Sequence, residues 1–431
     1  MPETRICSLK AADKGNSVAA TGEQMAAALA GSQPARRKSS PEARFHIDVA
    51  FESLNKQGEE LCGDRVEIVR QDDYVLAVLA DGLGSGVKAN ILATLTSKIV
   101  ATMLKAGADL DEVVETVAST LPVCRDRQIA YSTFSIVQLY QNGQGYLIEF
   151  DNPASVLLNK NQPADLHADD RVIAGKRIRE SRFALKAGDS LVLYSDGVVH
   201  AGVGKLLNMG WQRPEILAYL QRSVQKDSSA ACITRLLLTT VDCLYQGEPG
   251  DDATVLTLKI CPNMPVTLMV GPPVDPLQDE WAVKELLNAK GRRIVCGGTT
   301  SQIVSRVTGA PLEVSLDFPD PAIPPTGHIK GFDLVTEGII TLSHALDLMR
   351  QFADSKDMDN IIHLQRKDGA SQVANILLEQ ATDVRFLVGR ALNPAHQNPD
   401  LPLDLSLKLN VVASIAQILR EQGKAVSVDY V

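Results

Sequence analysis

YVLAVLADGLGSGVKAN, residues 74–90, joins an apolar strand to a helix through the pair Asp81-Gly82. Two further acidic motifs border apolar strands in the same way. Asp196-Gly197 closes SLVLYSD, and Asp251-Asp252 stands directly before ATVLTLKI. A lone Asp-Gly is usually only a turn, but three such motifs at strand ends predict carboxylates gathered around hard divalent cations.

The residues on both sides of this stretch predict a layered sandwich. Several strand-like runs follow one another without a helix between them, which favours antiparallel pairing, and Asn142-Gly143 suits a hairpin turn. Helical periodicity appears in residues 89–105 and 109–122, and again in 214–224 and 229–245. We therefore expect an α/β (α+β) fold in which helices cover antiparallel sheets.

The 431 residues are too many for one ordinary core, so the chain is expected to divide into domains. Residues 1–43 lack a hydrophobic period and predict a flexible tail. The sandwich is expected to occupy residues 44–260. A proline-bounded linker at 261–265 then leads to a smaller C-terminal α/β domain, residues 266–431.

Composition excludes several classes of function. The formal net charge of -9 and the pI of about 5.4 argue against a nucleic-acid partner. No apolar run approaches the roughly 20 residues that span a bilayer, and no signal peptide is evident, so we expect a cytoplasmic protein without a membrane partner. The seven cysteines include no C-x-x-C pair, which predicts reduced thiols.

Carboxylates in this pattern suit one kind of chemistry. Asp oxygens are good ligands for Mg²⁺ and Mn²⁺, and Gly82 and Gly197 let the backbone turn sharply beside them. Two such ions sharing an aspartate and a water would lower the pKa of that water and direct hydroxide at phosphorus. The pattern thus favours hydrolysis of a phosphate ester.

Four motifs together carry a family resemblance: CGDRVEIV at 62–69, ADGLGSGVKAN at 80–90, YSDGVVHAG at 194–202 and GDDATVL at 250–256. Their order and spacing resemble the SpoIIE-like branch of the metal-dependent type 2C (PPM) protein serine/threonine phosphatases. The resemblance covers roughly residues 45–260. It implies an α-β-β-α sandwich of two antiparallel sheets flanked by helices, with two Mn²⁺ or Mg²⁺ ions.

The resemblance also implies roles for individual residues. Asp81 takes the place of the aspartate that bridges both metals, and the Gly82 carbonyl that of a ligand of the second. Asp196 and Asp251 take the places of the remaining ligands of the first metal, so Asp81, Asp196 and Asp251 form the expected catalytic set. Asp64 matches an early acidic residue that contacts the site directly or through water. The resemblance leaves open how Asp252 ranks against Asp251 as a metal ligand.

The chain also departs from the eukaryotic-type pattern. It shows no upstream Arg placed to grip phosphate and no His beside Asp81-Gly82. Arg65 and Lys88 are nearby cations with open roles, and His200 is more often a structural histidine than a proton donor.

The relatives imply a partner and a form of control. The expected partner is a phosphoprotein carrying phosphoserine or phosphothreonine, an anti-sigma-factor antagonist by analogy. Residues 87–105 and 109–121 resemble a pair of switch helices that moves the metal-binding carbonyl. The oligomeric state stays open, a dimer included.

The C-terminal domain carries no decisive motif. The turn Gly297–Ser301 stands between a strand and a helix, where it can hold a small ligand or anion or simply be a capped turn. Glu337 either faces this turn or caps its own helix. A regulatory or ligand-sensing domain is expected, and two alternatives remain for the whole chain: a phosphoprotein-binding scaffold, or a small-molecule sensor acting through the C-terminal domain.

Overall fold

The computed structural model describes residues 45–120, 132–173, 175–225, 227–317, 319–354, 363–364, 366–391 and 403–431. The predicted tail, residues 1–43, lies outside the described residues. So do residues 392–402, an Asn/Pro-rich stretch of the sequence.

The first layer is a six-stranded, fully antiparallel sheet in the order β2-β3-β4-β5-β9-β8. Its strands are β2 Asp64–Arg70, β3 Tyr74–Gly82, β4 Ser132–Tyr140, β5 Gln144–Phe150, β8 Asp169–Ile173 and β9 Lys176–Ala184. The hairpin turn at Asn142-Gly143 forms as expected, with Gly143 at a φ of 86°. The β8–β9 hairpin was not predicted.

The second layer is a five-stranded antiparallel sheet in the order β1-β11-β10-β6-β7. It comprises β1 His46–Leu54, β6 Val156–Asn159, β7 Gln162–Ala164, β10 Ser190–Tyr194 and β11 Ala253–Cys261. The two sheets pack face to face, because one buried cluster joins Val49 and Leu258 of this sheet to Leu79 and Val137 of the other.

Helices cover the outer faces of both sheets. On the six-stranded sheet lie α1 Gly86–Lys105 and α2 Leu110–Thr120, which share a buried cluster with β3 and β4. On the five-stranded sheet lie α4 Arg213–Ser223 and α5 Ala230–Tyr245, and a one-turn helix, α3 Asp196–Val199, follows β10. The predicted α-β-β-α sandwich is confirmed.

Helix α1 is the one helix among the described residues that is long and apolar enough to cross a membrane, by length and composition alone. Its Ala93 and Val100 are fully buried against the six-stranded sheet. Core helices pass the same test, so this is weak evidence for a membrane span.

The C-terminal residues build a third, seven-stranded sheet in the order β14-β15-β16-β13-β12-β17-β18. Five of its strands are parallel: β12 Pro265–Val270, β13 Arg292–Cys296, β16 Leu334–Thr336, β17 Asp383–Val388 and β18 Ala425–Tyr430. Two short antiparallel strands complete it, β14 Glu313–Val314 and β15 Gly327–His328. The helices around it are α6 Asp279–Asn288, α7 Gly298–Thr308, α8 Ile339–Asp354, α9 Gly369–Asn375 and α10 Leu403–Glu421, with one 3-10 turn (Pro276–Gln278) and one π turn (Ile376–Gln380).

The third sheet follows the sandwich with almost no spacer. β11 ends at Cys261 and β12 begins at Pro265, so only 262–264 stand outside strands. The predicted domain boundaries at 260 and 266 remain a prediction.

Helix α5 contacts the C-terminal elements directly. Ser229, its N-cap residue, donates a hydrogen bond from Oγ to Glu379 Oε1 at 2.9 Å, and the Ser229 N–H donates to Glu379 Oε2 at 3.2 Å. Arg235 of α5 lies over the Phe352 ring, 4.3 Å from its centroid. The sandwich and the third sheet therefore share buried polar and apolar contacts.

Candidate metal centre

The predicted acidic residues come from strand ends of both sandwich sheets. Asp81 closes β3 and Asp64 opens β2 of the six-stranded sheet. Asp196 follows β10, and the pair Asp251-Asp252 precedes β11, in the five-stranded sheet. The structure thus brings the residues predicted from four separate motifs to one edge of the sandwich.

Asp64 and Asp81 are direct partners in the antiparallel β2–β3 ladder. Asp64 is only 4% exposed, and its Oδ2 accepts a hydrogen bond from Ser195 Oγ at 2.7 Å. Ser195 in turn accepts from the Thr254 N–H at 2.9 Å. One buried hydroxyl therefore connects β2 of one sheet to β11 of the other, at the acidic site.

Asp196 lies at the open side of the site. One ligand atom each from Asp196, His200 and Asp251 lies within 4.8 Å of the others. The His200 Nδ1 is 3.9 Å from Asp196 Oδ2, across one helical turn. The sequence favoured a structural role for His200. The signal that it belongs beside Asp196 was its i,i+4 spacing, which puts both side chains on the same side of a helical turn.

Asp252 is more deeply buried than its neighbour. It is 4% exposed, and its Oδ1 accepts from the Lys56 N–H at 3.0 Å. Asp251 is partly exposed, and its Oδ1 accepts from the Asp252 N–H at 3.0 Å. Both carboxylates lie at the site, so the structure does not decide which of the two is the better metal ligand.

The glycines of the two Asp-Gly pairs serve close packing. A Cβ built on Gly82 would lie 2.1 Å from the Ala89 carbonyl oxygen of α1. On Gly197 it would lie 2.0 Å from the Asp252 carbonyl oxygen. Neither residue has a positive φ, and Gly82 still pairs with Ser132 inside the ladder. Close backbone contact, and not a left-handed backbone conformation, is therefore what excludes a side chain at both positions.

Crowding of like charges perturbs the carboxylates. Burial, together with the nearby carboxylates of Asp64, Asp196, Asp251 and Asp252, raises the pKa of Asp81 to about 9. Burial likewise raises the pKa of Asp64 to about 7, although its bond from Ser195 opposes the rise. The pKa of Asp251 is raised too, by burial and by Asp196. Such a site favours protons or cations over bare carboxylates.

The residues present fit a hard divalent cation. Two buried carboxylate oxygens, Asp64 Oδ1 and Asp252 Oδ2, have no hydrogen-bond partner among the described residues. Unsatisfied buried oxygens are costly, and a hard cation takes oxygen ligands.

Arg65 and Lys88, whose roles the sequence left open, are both exposed. In the described ranges neither one has a hydrogen bond or ion pair with an acidic residue of the site.

Part of the chain is similar to known proteins. A family model described as Stage II sporulation protein E (SpoIIE) matches residues 71–260. The chain is 25% identical over 194 residues to Stage II sporulation protein E of Bacillus subtilis (strain 168), covering 44% of this chain and 22% of that protein. It is 32% identical over 74 residues to the phosphoserine phosphatase RsbX of the same strain, covering 17% of this chain and 36% of that protein. The matches therefore span well under half of either curated relative.

The chain also aligns with solved structures. The PP2C phosphatase domain of Bacillus subtilis SpoIIE, with a fragment of its regulatory domain, aligns at a TM-score of 0.45 and 21% identity. That alignment covers 52% of this chain and 66% of the solved chain. Residues 71–260 therefore match the SpoIIE family, and over this range the chain is similar to the metal-dependent PPM phosphatases.

Proposed function

We propose that this chain is a metal-dependent protein phosphatase that removes phosphate from phosphoserine or phosphothreonine on a regulatory protein. The observation that carries the proposal is the gathering of carboxylates from both sheets at one edge, with two buried oxygens left unpartnered. The name of the relative RsbX, a phosphoserine phosphatase, supports the substrate class. A small anti-sigma-factor antagonist is the partner class that the family resemblance suggests.

Two ions, Mn²⁺ or Mg²⁺, are proposed as cofactors, and when bound they supply an activated water and neutralise phosphate charge. Asp81 would contact both ions and the Gly82 carbonyl the second. Asp196 and Asp251 would complete the first ion's shell.

Asp64 and Asp252 would supply charge from the buried side of the site. Ser195 fixes the Asp64 carboxylate through its 2.7 Å hydrogen bond. The Lys56 N–H fixes Asp252 in the same way.

The open side of the site suits a protein-bound phosphate. Asp196 is 47% exposed and His200 is 55% exposed at their side chains, so a phosphorylated side chain has access there. His200 would lie beside the phosphate, and Arg65 and Lys88 stay outside the proposed catalytic set.

Control is proposed to act through α1. The Gly82 backbone is in close contact with Ala89, so a shift of the first turn of α1 has to move Gly82 or lose that contact. A displacement of about 1 Å at a metal-binding group could cost on the order of 100-fold in rate. The fragment 44–260 is expected to differ several-fold from the full chain in basal rate or Mn²⁺ requirement. Identical kinetics would assign the C-terminal domain a separate task.

The test of the proposed function is turnover of a phosphoserine protein by the full chain, with Mn²⁺ and after EDTA. Asp196→Asn should lose at least ~100-fold in turnover. The matched control is Asp72→Asn, because Asp72 is an exposed aspartate at the far end of β3 from Asp81. Activity that survives thorough chelation would overturn the metal mechanism, whereas phosphoprotein binding without turnover would favour a scaffold.

A further inference from the structure

In the third sheet, the parallel strands are added first on one side of β12 and then on the other. Their order is β16-β13-β12-β17-β18, so the chain starts at β12, builds outward through β13 and β16, and then returns to the other side. In open parallel sheets of this kind, ligands bind beyond the carboxyl ends of the strands. The reversal lies between β12 and β17, and the turns after β13 and β16 lie at the same edge, one and two strands away. Sequence reasoning predicted an α/β domain here but not this strand order.

The turn after β13 leaves the amino end of a helix open at this edge. Gly297 has a φ of 133° and is the N-cap residue of α7, and no side chain caps that helix. The turn is held to the end of β16, because the Gly297 N–H donates a hydrogen bond to the Thr336 carbonyl at 3.0 Å. Gly298 and Thr299 are exposed in the first helical turn. Backbone N–H groups in a first turn lack intrahelical partners and attract anions.

Buried polar atoms without partners occur in the same turn and in the segment 337–341, which follows β16. The hydroxyls of Thr300 and Thr341 belong to side chains that are 0% exposed. Within the residues that the structure describes, neither hydroxyl has a hydrogen-bond partner, and neither does the buried Glu337 Oε2. The candidate metal centre shows the same feature at Asp64 and Asp252. Such atoms are the ones that a bound molecule satisfies.

Short contacts bring these groups together. The Thr300 Oγ1 lies 2.6 Å from the point where a Cβ on Gly297 would stand. A Cβ on Gly338, the residue after Glu337, would lie 3.1 Å from the Gly297 Cα. The two turns, 297–300 and 336–338, are therefore in contact, and the backbone of Glu337 lies beside the glycine turn.

The two sides of this site call for different chemistry. The open amino end of α7 suits an oxyanion, whereas the Glu337 carboxylate accepts hydrogen bonds and repels anions. A ligand that satisfies both must carry its negative group at one end and hydroxyl groups at the other. We propose that this edge binds a small hydroxylated organic phosphate, with its phosphate at residues 298–300 and a hydroxyl on Glu337.

The probes are inorganic phosphate and ribose 5-phosphate, added to the full chain in EDTA. Without metal, the acidic cluster of the sandwich repels phosphate, so calorimetric binding reports the C-terminal site. Inorganic phosphate is expected to bind weakly, and ribose 5-phosphate about tenfold more tightly through its extra hydrogen bonds. No detectable binding of either probe at millimolar concentration would overturn the proposal.

Variants separate the two ends of the ligand. Thr300→Val should weaken both probes, while the unliganded variant is at least as thermostable as the parent, because an unpartnered hydroxyl is removed. Glu337→Gln should weaken only ribose 5-phosphate. The control is Thr308→Val at the other end of α7, where the hydroxyl already bonds to the Val304 carbonyl at 2.7 Å, and it should change neither affinity. Equal affinities in the parent and Thr300→Val, or equal losses for both probes in Glu337→Gln, would contradict the assigned geometry.

Discussion

Ser195 and Asp64 are joined by a 2.7 Å hydrogen bond that crosses from one sandwich sheet to the other at the acidic site. Both side chains are buried, and the Thr254 N–H completes the chain of bonds through Ser195. The site geometry and the packing of the two sheets therefore depend on the same hydroxyl.

Ser195→Ala should impair stability and metal binding together. The substitution leaves the Thr254 N–H and Asp64 Oδ2 without their partner, which costs about 1–3 kcal/mol of unfolding free energy. Loss of a group that orients a metal ligand typically weakens metal affinity ~10–100-fold. Denaturant unfolding and metal titration measure the two effects.

The matched control is Ser190→Ala on β10, the strand that Ser195 directly follows. Ser190 is equally buried, but its hydroxyl has no hydrogen-bond partner among the described residues. This change should cost less than about 1 kcal/mol. Equal effects of both substitutions would show that Ser195 acts only through packing.

Asp81→Asn is expected to stabilise the metal-free protein while abolishing turnover. The pKa of Asp81 is raised from its ordinary 3.8 to about 9. The metal-free fold therefore loses stability as pH rises through this window, because the unfolded carboxylate ionises more easily. At pH 8 in EDTA, Asn should raise the unfolding free energy by on the order of 1 kcal/mol. A destabilised variant would mean that Asp81 is not repelled by its neighbours.

Metal binding should release protons, and apparent affinity should rise with pH. At pH 7 the metal-free protein keeps a proton on Asp81, whose pKa is about 9, and a partial one on Asp64, whose pKa is about 7. Cations must displace these protons, so about one proton or more should leave per protein. Calorimetry of Mn²⁺ binding in two buffers of different ionisation enthalpy measures this number. Affinity independent of pH between 6 and 8 would contradict the raised pKa values.

The contact between Ser229 and Glu379 should couple the sandwich to the third sheet. Ser229→Ala should cost about 1 kcal/mol, because Ser229 Oγ also caps α5 by accepting from the Cys232 N–H. In a double-mutant cycle with Glu379→Ala, the coupling should be about 0.5–3 kcal/mol. Thr240→Ala is the control, since its hydroxyl bonds within α5 to the Leu236 carbonyl, and it should be additive with Glu379→Ala.

The sandwich was predictable because its pattern is local. Apolar runs predicted the strands, and the helical period in 89–105 predicted a helix, with ends correct to within a few residues. Each of these elements buries one face, which gives its sequence a regular pattern. The β8–β9 hairpin escaped because polar residues dominate it, as in KRIRESRFA, residues 176–184, so no apolar period marks it. Strand β18 was missed because none of its residues, Ala425–Tyr430, is buried, so no buried face marks it.

The sequence predicted which acidic residues form the site, but not how they are held in place. The motifs identified Asp64, Asp81 and Asp196, because strand ends collect polar residues at one edge. Nothing local marked Ser195, whose partner Asp64 is 131 residues away. The reason for Gly82 was also missed, because it depends on how closely α1 approaches β3, and sequence spacing does not carry that distance.

The cap on α5 has a consequence for how the chain is made. Synthesis proceeds from the amino terminus, so residues 44–260 leave the ribosome before Glu379 exists. The sandwich must then form with Ser229 lacking its carboxylate partner, and the third sheet supplies that partner last. A ribosome-bound chain halted before residue 379 would thus hold the sandwich in a looser state than the finished protein, with the start of α5 more accessible to proteases.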